Sequence, residues 1–462
     1  MLVKGDLVHC PKLGEVVVLR NHLLRVDSRG YIDHLAHSAH PESLSILMHE
    51  DPTIIPLGSF LMPTFCDLHL HAPQFMYQGT GLHLPLMEWL NEYAFKAEES
   101  LDADHQLAES VYKRLAARLI EHGTGAVLLF GTIKTETNLI LARVMQQAGI
   151  RAFVGKLSMD ISSRPTYVES SADASLEAAR LFCDQCIDVS SSLSTHERLV
   201  EPVITPRFVP TCSNELLAGL GALSAEKDIR IQSHMAESHD QVHHVLSERG
   251  ADDMDVFAQC NLLTSRTVQA HCTFLTPPSL MRLAETGTAV AHCPLSNAYF
   301  SAEPFRLREA LDAGVRVGLG TDIAGGYSVD IMNAMRQAVA GSRMREGARI
   351  SGHYRADSGQ EIRVLSVDWK EAFYLATKGG AEALNLAKGS GSFVVGAPFD
   401  AQHIQVFDAA SGEGTGGIDF FRDPRPGGLT LEILEKWWCV GDLRNRKGTW
   451  VQGKSVDSSS FH

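Results

Sequence analysis

DLHLHAPQ, residues 67–74, sets two histidines one residue apart inside an otherwise apolar run. Alternate side chains of a strand share a face. Asp67, His69 and His71 therefore fall on one face, and Leu68 and Leu70 on the other. Polar groups on a buried face need partners, because burying them unpaired costs free energy. A core hydrogen-bond network would satisfy them, and so would a metal ion. The rest of the chain has to choose.

Outward from this stretch the chain repeats one phrase. LAESVYKRLAARLIEHG carries Leu107, Val111, Leu115 and Leu119 at helical spacing and stops at Gly123. GAVLLFGTI follows as a strand. MQQAG leads into IRAFVGKLSMD, RLAETG into TAVAHCP, and ALDAG into VRVGLGTD. Helix, glycine, buried strand is the unit of a parallel α/β fold. Strands are expected at 61–71, 126–133, 151–160, 202–208, 229–237, 267–272, 289–294 and 315–322. Eight such strands with intervening helices predict a (β/α)8 TIM-like barrel over residues 62–387. A doubly wound sheet is the competing architecture, but no GxGxxG follows an early strand.

Residues 1–61 and 388–462 read differently. GEVVVLRNHLLRVD, GYIDHLA, GSFVVGAPFDAQHIQVF and RNRKGTWVQGKSV are strand-and-turn sequences. Neither end has enough strands for a sheet with a buried face. Together they are expected to form one small β-sandwich domain flanking the barrel. SGEGTGG (411–417) reads as a flexible loop.

Barrel enzymes do their chemistry at the C-terminal ends of the strands. His69 and His71 end the first expected strand, His234 the fifth, His271 the sixth and Asp322 the eighth. Any one of these alone reads as a hydrogen-bonded core group, and Asp322 as a helix cap. All five at one mouth favour a metal. Neutral imidazoles and a carboxylate suit Zn²⁺, and also Fe²⁺.

This constellation resembles the amidohydrolase superfamily, with HxH on strand one, His on strands five and six, and Asp on strand eight. Binuclear members carry a carboxylated lysine on strand four. Here that strand ends in Thr205-Pro206-Arg207-Phe208, and Lys156 lies on strand three. The resemblance thus implies one Zn²⁺ per chain and a structural Lys156. HAPQFMYQGTGLHLPLMEWL, TPRF, IQSHMAES, AHCPLSN, GLGTDIAGGYS, FVVGAPFDA and VGDLRN are similar to the guanine deaminase family along essentially the whole chain. Pro63-Thr64 departs from the usual Pro-Gly before strand one.

The resemblance implies hydrolysis of guanine to xanthine and ammonia, in purine catabolism, by a homodimer. It assigns His69, His71, His234 and Asp322 to the metal. Glu237, three residues beyond His234, would carry protons; otherwise it is a first-turn helix acid. His271 would orient water or, with Asp322, stabilise a developing oxyanion. Arg207 would donate to O6 and N7 of the purine. Gln74 would offer it a donor and an acceptor, and Phe208 an apolar wall. His234, Glu237 and Asp322 complete the expected substrate contacts.

Bulk properties bound the partners. The 462-residue chain carries a formal charge of −14, which argues against nucleic acid or an anionic membrane. No apolar run reaches membrane-span length. MLVKGDLVHC is not a secretory signal, and the nine cysteines are scattered, so a reducing compartment, the cytoplasm, is expected. The lone CxxC, Cys183 to Cys186, sits in a helical pattern and reads as packed thiols. HExxH is absent, as is the H-x-E with P-C-x-x-C of the other zinc deaminase architecture. Another amidohydrolase acting on a different aminated heterocycle would share the metal set but lack Gln74 with Arg207–Phe208. A non-catalytic scaffold on the same barrel would have lost ligands.

Overall fold

The structure, a computed structural model, describes residues 1–352 and 364–461. Its strands form two eight-stranded sheets. In chain order, the first five are β1 (Leu2–Lys12), β2 (Glu15–Val26), β3 (Ile32–His37), β4 (Thr53–Ile54) and β5 (Ser59–Pro63). The eight barrel strands are β6 (Phe65–His71), β7 (Thr124–Phe130), β8 (Arg151–Ser158), β9 (Val200–Pro206), β10 (Ile231–Met235), β11 (Thr267–His271), β12 (Ala289–His292) and β13 (Val317–Leu319). Three more follow: β14 (Ala401–Gln405), β15 (Arg446–Val451) and β16 (Lys454–Val456).

β6 to β13 pair in sequence order, all parallel. The last meets the first through the loop after β13. Asp322 N–H donates to His69 O at 2.8 Å, and His71 N–H donates to Ile323 O at 2.9 Å. The same bonds that close the barrel therefore fix Asp322 beside the HxH pair. Each barrel strand expected from the sequence is present. Helices return the chain between strands, and their glycine ends hold: Gly149 and Gly287 cap theirs in the left-handed region, at φ 73° and 69°.

One boundary differs. The first expected strand, 61–71, is two strands in two different sheets. β5 lies in the flanking sheet, β6 in the barrel, and Thr64 separates them. The Thr64 N–H donates to Asp400 O, and that of Phe65 to Gly123 O. One continuous apolar run conceals this change of partner, because both sheets bury it completely.

The flanking sheet runs β16-β15-β14-β5-β1-β2-β3, with β4 beside β1. Both chain ends build it, and the seam between them is the antiparallel β5–β14 pair, Pro63 opposite Ala401 to Ser59 opposite Gln405. Leu7, Leu24, Ile32, Leu61, Phe399 and Ala401 pack one core across that seam. The 411–417 loop is tied at its root: Asp408 N–H donates to Glu413 O, and Thr415 N–H to Val406 O. Cys183 and Cys186 are buried, unlinked thiols. Among the described residues, no helix is long and apolar enough to cross a membrane.

Candidate active site

On β6, Leu68 packs outward against the Gly318 and Gly380 backbones, while His69 and His71 turn inward. The face shared by Asp67, His69 and His71 divides in its use. Asp67 has a full hydrogen-bond set: its carboxylate accepts from Thr321 Oγ1 (2.5 Å), Thr321 N (3.0 Å) and His69 N (3.2 Å). Burial pushes its carboxyl up to about 7, against those bonds. The network answer applies to Asp67. It does not apply to the histidines.

His69, His71 and His234 bring their ligating atoms within 4.8 Å of one another. The Nε2 atoms of His71 and His234 lie 3.0 Å apart. Asp322 Oδ1 is 3.1 Å from His69 Nε2 and 3.9 Å from His71 Nε2. His69 Nε2 is buried with no hydrogen-bond partner. Burial holds all three imidazoles well below their usual range, hence neutral. His234 Nδ1 lies 2.6 Å from the Arg207 carbonyl and must donate to it. Its Nε2 is thereby left with a lone pair aimed at the cluster. Converging neutral imidazoles, an orphaned nitrogen and one carboxylate are the donor set that a divalent cation requires.

Around this cluster sit the other expected residues. Glu237 is buried beyond the end of β10. Burial first, then the neighbouring Asp322, holds its carboxyl well above the usual carboxylate range. His271 Nε2 faces both acids, 3.6 Å from Glu237 Oε1 and 3.7 Å from Asp322 Oδ2. Its Nδ1 is 3.0 Å from Asn297 Oδ1, which fixes the proton there and leaves Nε2 the open atom. Ala236, His271, Cys272 and Asp322 all take left-handed backbone angles, φ 47° to 67°. Four strained non-glycine residues at one mouth mark a site whose geometry is imposed by its surroundings.

A cavity opens onto these groups. Gln74, Arg207 and Phe208 line it with His71, His234, Glu237 and Asp322, and Trp89 and Phe300 form a wall, ring centroids 5.0 Å apart. Each expected site residue but two lines the cavity. The exceptions are His69 and His271, which belong to the cluster behind it: their rings touch each other, and His69 is also in ring contact with His71 and His234. Gln74 differs from expectation in what it presents. Its carbonyl accepts from Ala324 N–H (3.2 Å) and its amide nitrogen donates to Glu98 Oε1 (3.4 Å), so the second N–H of that nitrogen is what is left for a ligand. Lys156 is away from this cluster: its ammonium is paired with Glu169 Oε1 at 2.5 Å.

Sequence reasoning missed Glu98 and Asn297. Glu98 is fully buried and binds both Arg207 Nη1 (2.5 Å) and Gln74 Nε2 (3.4 Å). It sits in the helix Phe95–Ala103 directly before a second glutamate, the half-buried Glu99, so no local pattern distinguishes it. Asn297 had a signal, the AHCPLSN stretch, but no assigned role.

A parallel barrel with an imidazole and carboxylate cluster at its C-terminal mouth defines a metal-dependent hydrolase. The chain belongs to the amidohydrolase family, whose profile matches residues 60–456. It is similar to guanine deaminases over nearly its full length. The Dictyostelium discoideum enzyme is 34% identical, with 98% of each chain covered. The human enzyme is 35% identical over 98% of this chain and 96% of its own. A solved guanine deaminase from C. acetobutylicum, with guanine bound in its active site, superposes with a TM-score of 0.84 at 28% identity, covering 98% of this chain and 99% of that one.

Proposed function

We propose that this chain hydrolyses guanine to xanthine and ammonia, using one Zn²⁺ per chain held by His69, His71, His234 and Asp322. The observation that carries the reading is a shared cavity. Arg207 and Gln74 line the same cavity as His71, His234, Glu237 and Asp322, with N–H groups to offer a ligand there. Near full-length similarity to guanine deaminases supports the substrate.

The bound cation would supply Lewis acidity and draw the pKa of a water toward neutrality. The chain's own residues do the rest. Phe208, Trp89 and Phe300 exclude solvent and give a flat ring its apolar faces. Arg207 and Gln74 donate to ring acceptors and set which carbon faces the cluster. Water adds at C2 of guanine, and the bond from C2 to the exocyclic nitrogen breaks. Glu237 takes the water proton, delivers it to the adjacent ring nitrogen, and returns a second proton to the departing amine. A carboxyl held above its usual range suits a group that must both take and give protons. His271, its proton held at Nδ1 by Asn297, presents Nε2 as an acceptor that orients the attacking water.

The proposal extends to a homodimer in the cytoplasm, which sizing in solution and cell fractionation test. The central experiment measures ammonia and xanthine from guanine on metal-quantified protein, with adenine, cytosine and a triazine alongside. Turnover of guanine alone, with about one zinc per chain, is the expected result. Turnover of a triazine instead overturns the substrate. Folded protein that takes up no metal overturns the enzyme reading.

A further inference from the structure

Arg207 is the largest fully buried side chain among the described residues. A guanidinium taken out of water needs an opposite charge. Glu98 provides it, and burial, which alone would lower the pKa of Arg207, is outweighed by this neighbour. The guanidinium lies 4.8 Å over the Phe95 ring, so it is gripped from two sides. Yet Arg207 Nη2 is buried with no partner. One nitrogen is spent on Glu98 and one is held in reserve at the cavity.

Glu98 acts on Gln74 as well. Its Oε1 accepts from Gln74 Nε2, while Ala324 N–H fills the Gln74 carbonyl. Together these contacts settle which way the amide points. Both side chains then show the cavity donors. The pair Arg207–Glu98 is neutral overall, so these donors carry little net field. Around Arg207 the other ionisable groups are Tyr77, Tyr167, His71, His234, Glu237 and Asp322. Burial keeps the two phenols and both imidazoles uncharged. Glu98 is the carboxylate bonded directly to the guanidinium.

Product chemistry gives this neutrality a purpose. Xanthine carries a carbonyl where guanine carries an amine, and the added carbonyl makes its ring N–H more acidic. Xanthine therefore ionises near neutral pH, whereas guanine does not. An uncompensated arginine in a desolvated cavity would retain the xanthine anion. We propose that Glu98 is a positioning residue for selectivity. It locks Arg207 and Gln74 as two N–H donors and cancels the guanidinium charge, so that the cavity takes a neutral purine and releases its more acidic product. The inference rests on the guanine reading above for its substrate, though its binding consequence does not require turnover.

The test titrates xanthine into zinc-loaded wild type and Glu98→Gln, between about pH 6 and pH 9. In Glu98→Gln, xanthine affinity rises about tenfold over wild type at the alkaline end, where the anion dominates, and not at the acid end. The guanine kcat/KM falls about tenfold or more, chiefly through KM, as the donors lose their lock. Glu98→Asp keeps the charge with a shorter reach. It lowers guanine kcat/KM while leaving the pH response of xanthine binding at wild type, a pattern that a general packing defect does not produce. This variant carries the test if Glu98→Gln does not fold. Xanthine binding by Glu98→Gln that follows wild type at both ends of the range overturns the inference, as does Glu98→Asp with wild-type kcat/KM. A wild type that binds xanthine but does not deaminate guanine sinks the reaction alone. A wild type that deaminates guanine, with variants lacking the pH response, sinks this inference alone.

Discussion

Two arginine–carboxylate pairs sit at opposite ends of the barrel, one partly and one fully buried. At the bottom, Arg151 at the start of β8 meets Asp400 just before β14. Its Nε donates to Asp400 Oδ2 (2.8 Å) and its Nη2 to Asp400 Oδ1 (3.1 Å) and Gln452 Oε1. Gln452 N–H closes the loop onto the same carboxylate at 2.6 Å. At the mouth, Arg207 makes one bond to Glu98 and leaves Nη2 unpartnered. The first pair is saturated and joins barrel to flanking sheet. The second is deliberately incomplete, and the missing partner is the space for a ligand. Buried charge holds structure when its hydrogen bonds are filled, and offers recognition when one is not.

That contrast can be broken at either end. The largest effect belongs to the mouth. Glu237→Gln should lower guanine turnover by about 10²–10⁴-fold, with metal content and melting temperature near wild type; a variant that loses zinc would mean Glu237 is a ligand. Chelation should abolish turnover in wild type, and zinc should restore it.

Next comes the bottom pair. Asp400→Asn should cost about 3 kcal/mol in urea unfolding, because Arg151 is left desolvated without its countercharge. The kcat of the folded fraction should not change. A kcat that falls with stability would show that the two ends are coupled.

Arg207→Lys sharpens the recognition half. Lysine keeps the charge but not the planar fork, so Glu98 and the cavity can no longer be served together. Guanine kcat/KM should fall about 10–100-fold, and a loss confined to stability would make Arg207 structural.

The smallest effect lies in the flanking sheet. Burial pushes the His9 imidazole on β1 down to about 4 from an ordinary 6.5. Between those values the unfolded chain binds a proton that the folded chain refuses, so this contribution is full above pH 6.5 and is lost as pH falls toward 4. His9→Gln should flatten that part of the stability profile in equilibrium unfolding. An unchanged slope would put the acid sensitivity elsewhere.

Much of the mouth was legible before any coordinates. The HxH spacing, the repeated helix-glycine-strand phrase and the positions of His234, His271 and Asp322 are short-range patterns. They follow from the two-residue period of a strand and the 3.6-residue period of a helix. Gln74, Arg207 and Phe208 were legible only through resemblance, because a lone arginine or glutamine carries no periodic signal. The break at Thr64 was not legible, since both halves of the run are fully buried.

By itself, then, the sequence determined a parallel barrel, the strand ends that carry its histidines and acid, and a small flanking β domain made from both ends of the chain. Tertiary structure alone decided which buried polar groups are satisfied. Glu98 meets Arg207 across 109 residues, and Asp400 meets Arg151 across 249. Both closures depend on where distant strands and helices come to rest in three dimensions. Desolvation then fixes the role of each charge, and no local spacing in the chain records it.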